Sequence, residues 1–120
     1  MKRPAKTDEA CIYSLKKGTS FITKYTNVAR FKVKSGKQQE FESLFSKADN
    51  WEGHLLHILA RTGEQNYVGY GLWESEEKMA NAMPLMIGLL DSTRHLLEEL
   101  SPELGMTDPV SGAVVFEKKN

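Results

Sequence analysis

The sequence predicts an α+β domain in which helices cover one face of a single antiparallel sheet. Alternating polar and apolar residues at 27–34 favour a strand, and two later stretches with apolar residues three and four apart favour helices. A glycine-bearing turn at 62–65 joins two apolar runs, as in a strand hairpin. The predicted order is β-α-β-β-α-β, which is the ferredoxin-like pattern.

The chain of 120 residues has room for one core, preceded by a short arm. Residues 1–25 carry only short apolar patches around a turn-like stretch at 16–19, and they predict an N-terminal arm that could form a hairpin. The domain then spans residues 26–120. With 40% hydrophobic and 27% charged residues, the composition is that of a globular protein.

The first strand and the first helix follow the arm. Ser35 lies three residues before Gln38, which is the spacing of a helix-capping box, so we expect the helix to begin at Ser35 and to end near residue 49. One face of the strand and one stripe of the helix are apolar and are predicted to form core: Ala29, Phe31 and Val33 on the strand, and Phe41, Leu44, Phe45 and Ala48 on the helix.

Two strands and a broken helix come next. We place the strands at 54–61 and 66–74. Ser75 is the predicted N-cap of the second helix, since acidic residues follow it where the helix dipole favours negative charge. Pro84 predicts a break into a short helix and a longer one, and a last short strand is expected at 113–117. The longer helix is predicted to bury Met86, Leu90, Thr93 and Leu97.

Charge and cysteine content exclude several classes of partner and compartment. Sixteen basic and sixteen acidic residues cancel, so no strong field attracts nucleic acid or an anionic membrane. The most apolar stretch, 83–90, is far shorter than the roughly 20 residues that span a bilayer, and the N-terminus lacks the apolar segment of a signal peptide. Cys11 is the only cysteine, so nothing requires an oxidising compartment and the cytoplasm is expected.

The strand at 66–74 is apolar on both faces, which indicates self-association. One face carries Val68, Tyr70 and Leu72, and a chain of this length cannot cover it with a second layer of its own. A second copy is the economical cover, so we expect a homodimer. Arg30 and Lys32 project from the first strand towards the same layer and weigh against this interpretation.

Three segments carry a resemblance to a known family: 29–37 with Glu40 and Phe41, 72–77, and 107–112. Over residues 27–117 the chain resembles the antibiotic-biosynthesis-monooxygenase-like group of dimeric α+β barrels. The resemblance implies two ferredoxin-like protomers whose sheets pack into a shared barrel, with a pocket between sheet and helices in each. Members of that group oxidise polycyclic phenols with molecular oxygen and no metal or flavin, degrade haem, or have no known activity.

Haem degradation is disfavoured within this resemblance. Members that act on haem use an asparagine in the first strand, a tryptophan in the third and a histidine on the following helix. Trp73 matches the tryptophan, whereas Ala29 stands at the asparagine position and Asn27 lies two residues earlier on the same strand face. The helix from Ser75 to Met83 contains no histidine, so the proximal ligand is missing.

One face of the strand at 66–74 carries a candidate aromatic slot. Tyr67 and Trp73 flank Gly69 and Gly71 there, which leaves space for a planar ring. The alternative is that the glycines bend the strand or admit a side chain from a neighbouring helix. Further candidates for substrate binding, each with ordinary packing or a solvated helix edge as its alternative, are Met79, Met83 and Arg94.

Two side chains are candidates for chemistry at a substrate oxygen. Asn27 or His57 would polarise that oxygen, and His57 titrates in the range of a general base at neutral pH. The alternative for His57 is a buried histidine bonded to the backbone. His54 lies three residues before His57 and therefore points to the opposite face of a regular strand, which predicts no joint metal site.

Together with these residues, the resemblance implies a cofactor-independent monooxygenase that acts on a small phenolic or polycyclic aromatic compound. Trp73, Asn27 and His57 are its candidate catalytic residues, and no metal, flavin or other cofactor is expected. The alternative is a non-catalytic dimeric module that binds a small apolar molecule, because a fold is inherited more reliably than an activity.

Overall fold

The computed structural model describes residues 23–48 and 50–119, so nearly all of the arm expected at 1–25 lies outside the described residues. Within them the β-α-β-β-α-β order is confirmed, with the second helix in two pieces and one additional short strand. The elements are β1 (Tyr25–Val33), α1 (Gln38–Phe45), β2 (His54–Arg61), β3 (Asn66–Trp73), α2 (Glu76–Asn81), α3 (Met83–Thr93), a 3-10 turn (Arg94–Leu96), β4 (Leu97–Glu98) and β5 (Thr107–Ala113).

The five strands form one antiparallel sheet. β3 lies between β2 and β1, and the other edge of β1 pairs with β5 and then with β4. Pairing of β1 with β3 runs from Tyr25 opposite Trp73 to Lys32 opposite Asn66. This arrangement confirms the ferredoxin-like α+β fold.

The helix-facing side of the sheet carries two hydrophobic clusters. The larger is built on four aromatic rings whose neighbouring centroids lie 5.1 to 5.6 Å apart, in the range of favourable aromatic pairs. The smaller centres on Trp73, which is fully buried, with Met79 and Ala82 from the α2 region. The larger cluster consists of Phe31, Val33, Phe41, Phe45, Tyr67, Leu96 and Leu97.

The first helix begins later than the capping-box spacing predicts. Gly36 has a φ of +84°, in the left-handed region that favours glycine, and the helix starts at Gln38 with no side-chain cap on Lys37. The Gln38 Nε2 donates instead to the carbonyl of Glu64 at 3.1 Å, which ties α1 to the hairpin turn. The expected cap at Ser35 is therefore wrong, and α1 also ends at Phe45 rather than near residue 49.

The second helical region agrees with its predicted N-cap and break. The Ser75 Oγ accepts a hydrogen bond from the Lys78 backbone N–H at 3.2 Å. Pro84 lies in the first turn of α3, where its missing N–H costs no helical bond, and α2 and α3 separate at Ala82. Thr93 is fully buried as expected, but the buried Leu97 belongs to β4 and not to the helix.

The last strand lies earlier than expected. It occupies Thr107–Ala113, so the prediction of a strand at 113–117 is wrong for all but its first residue. Turn-forming residues such as Pro109 concealed it in the sequence. β5 pairs with β1 on one side only, and an edge strand tolerates proline. Asp108 lies opposite Arg30 and accepts hydrogen bonds from its guanidinium at 2.6 and 2.9 Å.

The outer face of the sheet is apolar and has no covering layer among the described residues. Leu56 and Ile58 are 44% and 46% exposed there. The cations that weighed against an interface are paired, because Arg30 bonds Asp108 and Lys32 lies 3.5 Å from Glu98.

In the described parts of the chain, no helix is long and apolar enough to cross a membrane. The cytoplasmic location expected from the cysteine content stays a prediction.

Candidate functional site

A cavity of about 450 Å³ opens between the helix-facing side of the sheet and α3. Its volume is within the range of roughly 300 to 1,000 Å³ usual for small-molecule sites. Aromatic rings and methionines dominate its walls, and none of the described residues that line it is Asp, Glu, Lys or Arg. β5 contributes a further wall with Thr107, Pro109, Val110 and Ser111.

Trp73 and Asn27 form the polar centre of this cavity. The Trp73 Nε1 donates to the Asn27 Oδ1 at 2.7 Å, across the central pair of strands. The Asn27 Nδ2 lies 3.4 Å from the Met86 Sδ on α3. Because thioether sulfur is a weak acceptor, the amide N–H groups can turn to a stronger acceptor in the cavity.

Gly71 makes the hydrogen bond between Asn27 and Trp73 possible. It lies directly opposite Asn27 in the sheet. A Cβ at Gly71 would collide with the Asn27 Oδ1 and lie 3.0 Å from the Trp73 Nε1. The hydrogen bond between Asn27 and Trp73 therefore requires a glycine at position 71.

Gly69 serves packing in a similar way. A Cβ there would lie 3.1 Å from the Phe45 Cζ and 3.3 Å from the Phe31 Cε2. The protein's own side chains therefore occupy the space over both glycines, as the packing alternative states. The cavity lies beyond those side chains, towards α3, although both glycines contribute to its floor.

The two strand histidines face the same cavity, so the prediction that they face opposite ways is wrong. The pairing of β2 with β3 shifts register between His54 and Leu56, which is a β-bulge. The extra residue breaks the alternation of side chains along the strand. The imidazole centroids of His54 and His57 lie 5.2 Å apart, and both rings line the cavity.

Aromatic neighbours hold both imidazoles in place. His54 stacks on Trp73 with centroids 4.3 Å apart and an interplanar angle of 23°. The Trp51 ring also stacks near His54, with its centroid 5.4 Å away. The His57 ring lies 4.9 Å from Phe45.

Burial favours the neutral form of both histidines by lowering the pKa of each. Loss of solvent lowers the pKa of His57 below its usual range. Burial lowers the pKa of His54 as well, and repulsion from a charged His57 lowers it further. Each neutral imidazole can accept a proton. Across residues 23–48 and 50–119 no three His, Cys, Asp or Glu side chains come together as metal ligands.

The structure brings together most of the predicted site residues but not all of them. Tyr67 does not line the cavity, because its ring packs on Phe41 and its hydroxyl donates to the Glu42 Oε2 at 2.6 Å. Arg94 lies outside it as well, in the exposed 3-10 turn, with its Nε donating to Asp91 at 3.1 Å. The predicted residues that line the cavity are Asn27, His57, Gly69, Gly71, Trp73, Met79 and Met83.

Sequence reasoning missed three contributors. His54 was set aside because a bulge is invisible in a pattern of alternation. Trp51 lies in the loop before β2, where no periodicity applies, and its ring lies 6.2 Å from that of Trp73 at an interplanar angle of 9°. The β5 wall was missed because its residues resemble a turn. An aromatic residue just ahead of a histidine-bearing strand was the available signal for Trp51.

A second, more polar cavity of about 510 Å³ adjoins the first. Tyr67, Glu42 and Arg61 form a hydrogen-bonded group on its wall. Hydrogen bonds from Tyr67 and then Arg61 lower the pKa of the Glu42 carboxyl. Phe45 and His57 line both cavities and so form the partition between them.

The family model for antibiotic biosynthesis monooxygenase matches residues 24–83, which include β1, β2, β3 and α2. The chain belongs to this family. Among the curated proteins no relative matches it.

Several solved structures share the fold at low sequence identity. SnoaB from Streptomyces nogalater, a cofactor-independent oxygenase, is 22% identical with a TM-score of 0.58, over 81% of this chain and 96% of its own. The monooxygenase from the gene ActVA-Orf6 of Streptomyces coelicolor, in complex with nanaomycin D, is 18% identical with a TM-score of 0.61, over 82% and 93%. A protein of unknown function from Nitrosomonas europaea has a TM-score of 0.65 at 14% identity, over 84% and 98%.

Gly71→Ala should destabilise the fold through the bond that it disrupts. The added methyl group displaces Asn27 from Trp73, and overpacking of this kind costs about 1 to 3 kcal/mol in unfolding free energy. Gly88→Ala is the matched control, because nothing lies within 4 Å of a Cβ there. In the middle of α3 it should stabilise by up to about 1 kcal/mol. Urea denaturation followed by tryptophan fluorescence measures both, and a Gly71→Ala protein as stable as wild type would contradict the assigned role.

Proposed function

We propose that the protein binds an uncharged polycyclic phenol in the 450 Å³ cavity and oxidises it with molecular oxygen, without a metal or flavin. The observation that carries the proposal is the bond between Trp73 and Asn27, set beside two half-buried histidines on an aromatic wall free of charged side chains. Family membership supports it. So do the cofactor-independent oxygenase SnoaB and the ActVA-Orf6 monooxygenase with its bound nanaomycin D, both as relatives in fold.

The lining of the cavity indicates the class of ligand. Trp73, with Trp51 and His54 stacked beside it, offers flat apolar surface to a ring. Met79 and Met83 also line the cavity, and their flexible side chains can adapt to the shape of a ring. A carboxylate in this cavity would be buried without a charged partner, which is costly, so a neutral ligand is favoured over an acidic one.

The proposed chemistry draws all of its electrons from the substrate. A ring carbon that carries two hydrogens, activated by a neighbouring phenol, reacts with O2 to give a carbonyl group and one molecule of water. The substrate loses four electrons and O2 gains four, so no other reductant is needed. In this picture His57 accepts one proton from that carbon, and the Asn27 amide donates to the ring oxygen on which the resulting negative charge is delocalised.

Replacement of His57 tests the proposal directly. His57→Gln should lower kcat/KM for dithranol, a dihydroxyanthrone, about a hundredfold, because a positioned general base contributes on the order of 10² to 10⁴ in rate. Oxygen uptake and quinone absorbance report turnover. His95→Gln is the control, since that side chain is 63% exposed and does not line the cavity.

Two outcomes would contradict an oxygenase. One is quinone formation that is equally fast without protein or without oxygen. The other is equal activity of the His57 and His95 variants.

A non-catalytic binding module is the second candidate, and one observation favours it. The polar groups of the site already have partners inside the protein, since Asn27 bonds Trp73 and His54 stacks on the same indole. Saturable anaerobic binding of dithranol with no protein-dependent oxygen uptake would support this module over the enzyme.

A homodimer built on the outer sheet face is also part of the proposal. That face is apolar, its two cations are paired within the chain, and a second copy would cover Leu56 and Ile58.

Light scattering should give twice the 13.6 kDa mass. Ile58→Lys should shift the mass to the monomer, because it buries an unpaired charge in each copy. The control is Val115→Lys, at a site that is 93% exposed. A wild-type mass of 13.6 kDa at micromolar concentration would contradict the dimer.

A further inference from the structure

His54 is the residue of the cavity to which neither the family match nor the proposed reaction assigns a role. It reaches the cavity wall only because the bulge at Leu55 adds one residue to β2. Without the bulge, a regular strand would turn it to the outer face. A bulge that re-aims a side chain into a cavity is typical of functional sites.

We propose that His54 and His57 act as one acid–base unit that holds a single proton between them, a role that rests on the proposed oxygenase function. Their ring centroids are 5.2 Å apart in a half-buried, apolar site. Two imidazolium charges at that separation repel each other, so protonation of one ring opposes protonation of its neighbour.

The reaction needs one stored proton at this place. The activated ring carbon gives one of its two protons to the pair, which leaves a phenolate-like anion, and an electron of that anion passes to O2 before the carbon–oxygen bond forms. The peroxide oxygen then takes the same proton back. The O–O bond breaks as the remaining hydrogen leaves the carbon as a proton, and the hydroxide that departs combines with that proton as water. The unit ends the cycle neutral, as it began.

The charged groups near the two histidines are paired with one another, so the histidines themselves are the groups that titrate in this part of the cavity. From β3, Trp73, Tyr70 and two glycines line the cavity with the pair, Tyr67 lines the second cavity with His57, and α1 presents Phe45. Glu52, in the loop before His54, is bound by Lys78 at 2.6 Å. On the far side of the partition Glu42 and Arg61 bond each other and Tyr67, so their charges are mutually compensated.

His54→Phe separates proton storage from stacking. Phenylalanine keeps a flat ring against Trp73 but cannot titrate, whereas His54→Gln removes the ring as well. If His54 only stacks, the Phe variant keeps wild-type turnover and the Gln variant loses it. If the two histidines share a proton, both variants lose about tenfold or more in kcat/KM for dithranol, towards the low end of general acid–base contributions.

The pH profile supplies a second readout that stacking would not move. In wild type, kcat/KM should fall as pH drops and the pair becomes protonated. His54→Phe leaves His57 without the second ring that can hold the proton, so the acid limb should move to lower pH in this variant. His95→Gln should leave the limb in place.

NMR titration measures the coupling between the two histidines independently of catalysis. The chain has three histidines, so ¹³C-labelled imidazole gives three signals, assigned with the single variants. We expect the His54 signal to titrate at higher pH in His57→Gln than in wild type, because the charge on His57 that lowers the pKa of His54 is gone, and the His95 signal to be unchanged. A His54 titration that ignores His57, or an acid limb that does not move, would overturn the pair even if wild type is an active oxygenase. Absence of wild-type turnover would overturn the proposed function, and with it the catalytic use of the pair, whatever the coupling seen by NMR.

Discussion

The antiparallel pairing of β1 with β3 is the constraint on which the site depends. It sets Asn27 opposite Gly71 and Ala29 opposite Gly69, so both of these β1 residues lie opposite a position on β3 that has no side chain. This match leaves room for the bond between Asn27 and Trp73 inside the sheet's helix-facing layer. A shift of one residue in register would turn Asn27 to the outer face and dissolve the polar centre of the cavity.

The two hydrophobic clusters on the helix-facing side of the sheet have different roles. Around Phe41 the aromatic rings are packed to complete burial and hold α1 on the sheet. Around Trp73 the packing is incomplete, since α3 lies over the sheet without filling the space beneath it. Pro84 starts α3 as a separate helix from α2. The break divides the chain into one helix that packs beside Trp73 and another that roofs the cavity.

Sequence pattern predicts the parts of the fold in which burial of one face dictates residue type. The alternation in β1, the apolar stripe of α1 and the break at Pro84 are of this kind, and all three are confirmed. Features that do not change the periodicity of polar and apolar residues could not be predicted from the sequence. Gln38 bonds a distant carbonyl and not its own helix cap, and the bulge at Leu55 changes the facing of His54.

Part of the candidate site was also predictable, because alternation along a strand shows which residues share a face. Trp73 and Asn27 share the helix-facing side of adjacent strands, and alternation alone places them there. Tyr67 lies on that face as well, but it stands near the other end of β3 from Trp73. There it joins the aromatic cluster with Phe41. Alternation identifies a face but not a position along it, which depends on the helices above.

Methionine methyl NMR measures the central claim, that an uncharged aromatic ring binds between the sheet and α3. Met79, Met83 and Met86 line the cavity, while Met106 packs against the other cluster and serves as an internal reference. Titration of ¹³C-methyl-labelled protein with dithranol under nitrogen should produce saturable ring-current shifts in the three cavity methyl groups and none in Met106. Saturation that moves Met106 while the three cavity methyl groups stay fixed would place the ligand elsewhere and contradict the account.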